Sequence, residues 1–94
     1  MSAPTAPPRP ARAKLAPRVV GTEPLDGHAL LVTFATGETR RVDCRPFLGK
    51  GVFRVLEDEA AFRQVRPVNG GGGVGWASGA DLSRDTVYAA GEPV

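Results

Sequence analysis

The 94-residue chain is 41% hydrophobic and 23% charged, an ordinary globular composition with room for one small domain. Its single cysteine excludes an internal disulfide and a cysteine-based metal cluster, and that usage fits a reducing cytoplasm. The net charge of +2 is unevenly placed: residues 1–16 carry Arg9, Arg12 and Lys14 and no acid, whereas residues 17–94 carry nine basic and ten acidic side chains and so lack a broad footprint for nucleic acid.

Residues 1–16 contain Pro4, Pro7, Pro8 and Pro10 and little to bury. Proline fixes φ and removes a donor, so a disordered, partly polyproline-like tail is expected there, with a single domain over 17–94. Three scattered cations give the tail only weak affinity for phosphate. No apolar core of a secretory signal follows those charges, and no run approaches the ~18 residues of a membrane helix. A cytoplasmic protein without a membrane partner is expected.

The first strand is predicted over 18–25. Asp26-Gly27 is a strong hairpin turn. A second strand, apolar enough to be central, covers 29–35. Thr36-Gly37 makes the next turn, and 38–44 form a third strand on which Arg40 and Arg41 point to opposite sides. Two such turns in succession describe an antiparallel meander. Pro46-Phe47-Leu48 starts a short helical turn, and Val52, Phe53, Val55 and Leu56 supply an apolar cluster. Asp58 is positioned to cap a short helix over 59–63.

A fourth strand is predicted over 64–68, at an edge because of Pro67. Asn69 and the four glycines after it read as a flexible loop, and 74–76 as a fifth strand. Ser83 is placed to cap a last helical turn through Tyr88, with Gly91 and Pro93 ending it. The sum is β-β-β-α-β-β, a small α+β domain with an antiparallel sheet and short helices packed on one face. The expected core is Val20, Leu30, Val32, Phe34, Val42, Phe47, Leu48, Phe53, Leu56, Phe62, Val65, Trp76, Leu82 and Tyr88.

The ordered landmarks carry a resemblance. They are Arg18-Val19-Val20 with Pro24-Leu25, Leu31-Val32-Thr33-Phe34, Thr36-Gly37-Glu38 and Arg41-Val42-Asp43. Lys50-Gly51-Val52-Phe53 follows, then Phe62-Arg63-Gln64-Val65, Trp76 to Leu82, and Asp85-Thr86-Val87-Tyr88. Over about residues 17–89 the chain resembles the bacterial domain of unknown function family 2442. The resemblance implies a small α+β domain, either alone or joined to a helix-turn-helix domain. Members that stand alone resemble partners of other small proteins, in the manner of toxin–antitoxin pairs. The resemblance implies no catalytic residue. The Gly70–Gly73 run departs from the family pattern, which has a shorter and less glycine-rich loop there.

Candidate chemistry is thin. Cys44 and His28 are the only residues of their kind, and a Cys-His nucleophile needs thiol and imidazole within hydrogen-bond reach. Cys44 is placed on the core side of its strand and His28 beside a turn, facing solvent. No pair of residues has metal-ligand spacing, and no phosphate loop is present because the glycine run leads into a strand without a lysine. No enzyme activity, cofactor or metal is expected. Glu57, Asp58 and Glu59 suit a helix start. Arg40, Arg41, Arg45 and Lys50 gather near the third strand without forming one stripe.

Trp76, Ser78 and Asp81 are the candidate recognition surface, because aromatic residues anchor interfaces. Asp81 is also placed to hold the turn into the last helix. The expected function is a non-enzymatic interaction or regulatory module whose partner is another small protein or a second copy. The alternative is an accessory nucleic-acid-binding protein using the tail and the arginines.

Overall fold

The computed structural model describes residues 16–49 and 51–94. The expected disordered tail lies outside these residues except for Ala16, which is buried and donates its N–H to the Asp85 carboxylate at 2.9 Å.

Strands β1 (Val19–Leu25), β2 (Ala29–Phe34) and β3 (Thr39–Asp43) form the expected antiparallel meander. The Asp26-Gly27 turn works because Gly27 takes φ 79° and His28 follows at φ 60°. On β2, Leu30, Val32 and Phe34 are fully buried while Leu31 and Thr33 face the other side, as the two-residue period requires.

One core assignment is corrected. Val20 is 54% exposed and Val19 takes the inward place. A bulge between Val19 and Gly21 shifts the pairing with β2, so Val20 is the extra residue on its strand.

After β3 the chain runs through two 3₁₀ segments, Arg45–Phe47 and Gly51–Glu57, into helix α1 (Glu59–Phe62). The Asp58 carboxylate accepts from the Ala61 N–H at 3.0 Å, as its capping position predicts. Strands β4 (Arg66–Val68), β5 (Gly73–Gly75) and β6 (Asp81–Ser83) then form a second antiparallel sheet in the order β4-β5-β6. Pro67 lies on an edge strand, where its missing donor costs nothing.

The glycine run is not the flexible loop that its composition suggests. It is a 3₁₀ turn leading straight into β5, with Gly71, Gly73, Val74 and Gly75 buried. A β-carbon on Gly71 would stand 2.8 Å from the Val19 carbonyl oxygen, and one on Gly73 would run into the Leu82 carbonyl. These glycines let three backbones approach closely, which composition alone does not reveal.

Helix α2 (Arg84–Ala90) is capped as expected by Ser83, whose hydroxyl accepts from the Thr86 N–H at 3.2 Å. Gly91 is extended, so the chain leaves the helix directly into β7 (Glu92–Pro93). β7 pairs with β3 and completes a first sheet ordered β1-β2-β3-β7. The α+β class and the short helices agree with the sequence. The strands divide between two sheets instead of one, and β6 and β7 had no strand signal of their own. The shared core joins Val19, Leu30, Val32, Phe34, Val42, Cys44, Leu56, Phe62, Val74, Trp76 and Val87, with Phe47, Leu48, Phe53, Val65 and Tyr88 packed against it.

Candidate interaction surface

Cys44 is 1% exposed, and its Sγ lies 4.0 Å from the Val42 carbonyl oxygen. Burial, with the neighbouring Asp43 charge, pushes the thiol up to about 12. A thiol held neutral in this way is a small core hydrophobe, not an activated nucleophile. His28 is not turned to solvent as expected. Its Nε2 lies 3.1 Å from the Glu57 carbonyl oxygen, and its ring meets Phe62 edge-on at 5.0 Å. The link between the two residues is main-chain only, the Cys44 N–H donating to the His28 carbonyl at 3.0 Å. No group of three metal-ligating side chains gathers among the described residues.

The arginines near β3 are divided, as strand alternation requires. Arg40 donates from Nε to Glu38 at 2.7 Å, lies 3.9 Å over the Tyr88 ring, and donates to the carbonyls of Tyr88 and Gly91 at 3.0 and 3.2 Å. It therefore ties the end of α2 to the first sheet. Tyr88 completes the knot by donating its hydroxyl to Glu38 at 2.8 Å. Arg45 makes a two-point pair with Asp43 at 3.0 and 2.8 Å. Arg41 points outward and is exposed. Lys50 lies outside the described residues.

The candidate recognition trio does not come together as one surface. Trp76 is 4% exposed, and its indole N–H donates to the Phe62 carbonyl at 2.8 Å. The ring packs 5.8 Å from Phe62 and 6.4 Å from Phe53. With its donor satisfied and its ring covered, Trp76 belongs to the core. Ser78 and Asp81 are exposed. The turn between them closes through backbone bonds, Trp76 N–H to Ala80 O and Gly79 N–H to Trp76 O, both 3.0 Å. The helix start is capped by Ser83, as expected, and the Asp81 carboxylate takes no part in that cap.

A different surface stands out. A 3₁₀ segment has about three residues per turn, so positions i and i+3 stack on one side. In Gly51–Glu57 this puts Phe53 and Leu56 inward, Leu56 being 1% exposed and Phe53 lying against Trp76. Val52 and Val55 point out, 61% and 47% exposed. Glu57, Asp58 and Glu59 follow at once and are all exposed. The result is a short apolar ridge, backed by the buried Leu56 and the packed Phe53, beside an acidic corner. Its sequence signal lies in the pairs 52/55 and 53/56; grouping all four as one apolar cluster conceals it, although only Phe53 and Leu56 are assigned to the core.

Among the described residues no helix is long and apolar enough to cross a membrane. Residues 19–93 match the family described as "Protein of unknown function (DUF2442)". The chain belongs to that family. No curated protein and no solved structure matches it.

Proposed function

We propose that this member of the DUF2442 family is a non-enzymatic interaction or regulatory module that binds another small protein through the Val52–Val55 ridge. The observation that carries this reading is the pair of outward valines on a segment whose inner side is fixed to the core. Exposed apolar side chains in a row, beside charged ones, mark contact surfaces more than isolated ones do. Glu57, Asp58 and Glu59 favour a partner presenting an apolar patch bordered by lysine or arginine. The arginines engaged within the fold weigh against a nucleic-acid surface built on that cluster. The proposed setting is a bacterial cytoplasm, which suits a lone buried thiol.

The test is affinity capture of the tagged protein from its own cell extract, at low and high salt and with nuclease. A small protein retained through both treatments, and lost by the double variant Val52→Ser with Val55→Ser, supports the reading. Binding that vanishes with nuclease overturns it in favour of nucleic acid. An empty capture, or a partner indifferent to the valine variants, overturns the ridge as the site.

A further inference from the structure

The outer face of the first sheet, away from the core, carries a self-complementary charge row. The strand register aligns Glu23 with Leu31, Leu31 with Arg41, and Arg41 with Glu92. On this side Glu23 and Arg41 are exposed and Leu31 is half-buried between them. The row beside it is small and flat: Gly21, Thr33 and Thr39, with the two threonine hydroxyls 3.4 Å apart. Among the described residues neither Glu23 nor Arg41 forms an ion pair; the four pairs present use other side chains.

The geometry points to a second copy of this chain as the occupant of this face. Consider a two-fold axis lying between two such faces, parallel to β2 and passing over Leu31. Rotation about it reverses the row, so Glu23 of each copy meets Arg41 of the other and Leu31 meets Leu31. Aligned packing of this kind is an ordinary way for two sheets to meet. A two-fold contact uses every residue twice, so one acid and one base on either side of one leucine suffice for two inter-copy ion pairs. A two-fold axis running along the row instead would set Glu23 against Glu23 and Arg41 against Arg41, which like-charge repulsion disfavours. The strands are short and three of them overlap, so the interface falls below the standard size and the dimer is weak, in the micromolar range or above. This face is separate from the valine ridge and stands or falls independently of it.

The test is sedimentation equilibrium of the purified full chain across micromolar to near-millimolar concentrations, with far-ultraviolet circular dichroism to confirm folding. The wild type is expected to dimerise reversibly. Arg41→Glu and Glu23→Arg are each expected to weaken the dimer by roughly tenfold or more, and the double charge reversal to restore it. Leu31→Asp is expected to give a monomer, and the Val52→Ser/Val55→Ser variant to dimerise like wild type. A wild type that stays monomeric up to about 1 mM overturns the inference. So does a dimer unaffected by the single reversals, or a double reversal that fails to restore a dimer lost in both.

Discussion

The Arg40 guanidinium lies 3.9 Å over the Tyr88 ring while donating to the carbonyl of the same residue at 3.0 Å. One side chain on β3 thus grips both the aromatic face and the backbone of the closing helix. Arg40→Ala should loosen α2 and β7 before the meander. Arg40→Lys should rescue only part of the loss, since an ammonium lacks the planar fork that reaches Glu38 and two carbonyls together. Hydrogen exchange read residue by residue checks this: amides in 87–92 should lose protection while those in β2 keep theirs.

Acid should weaken the fold through two carboxylates. The Tyr88 hydroxyl and then Arg40 hold the Glu38 carboxyl below its usual value, and the two-point Arg45 contact holds Asp43 down at about 2. Both pKa values are depressed on folding, so their contribution is complete above the ordinary carboxylate range of about 4 and is lost as pH falls towards 2. The side chains are partly exposed, so the effect is modest and shrinks with salt. Thermal midpoints measured from pH 7 to pH 2 should show this decline, and Glu38→Gln should start lower and fall less.

Trp76→Phe should destabilise the protein by about 1–3 kcal/mol, because it leaves the buried Phe62 carbonyl without the indole donor and shrinks the ring between Phe53 and Phe62. Urea unfolding followed by circular dichroism should show a lower midpoint with an unchanged slope.

Gly73→Ala should be worse than its size suggests. The added methyl would enter the Leu82 carbonyl across the β5–β6 pair, and backbone cannot rotate out of the way as a side chain does. A loss of about 3 kcal/mol or more is expected, at the upper end for overpacking. A steep fall in melting temperature, without loss of secondary structure at low temperature, is the outcome to look for.

Cys44 should resist thiol reagents in the native state at pH 8 and react at once in denaturant, because its thiol is neutral and sealed in the core. Cys44→Ser should cost about 1–3 kcal/mol by burying a hydroxyl where the sulfur made only a long contact. Timed labelling and urea titration check the two halves.

Local chemistry was legible where it acts locally. Asp26-Gly27 and Thr36-Gly37 announce their turns, and Asp58 and Ser83 announce their caps. The alternation of 30, 32 and 34 gives the core side of β2. What was hidden depends on distant chain. Nothing near Val20 marks a bulge that exists because of pairing with β2. Gly70–Gly73 carries the composition of freedom, yet Val19 and Leu82 confine it. Trp76 is placed in the expected core as well as on the candidate surface, and its Phe62 acceptor decides for the core. The valine ridge depends on a three-residue winding that no propensity in 51–57 dictates.

The pairing of β7 with β3 also sets an order of events. The Arg40 side chain waits for a carbonyl 51 positions further along the chain. During synthesis the meander is made long before the strand that completes its sheet, so early hairpins form without their outer neighbour or the helix lock. Completion of the first sheet is therefore the late step: the hairpins of the meander close over short stretches of chain, whereas the β3–β7 pairing must wait for residues 92 and 93 and is the slow contact to form.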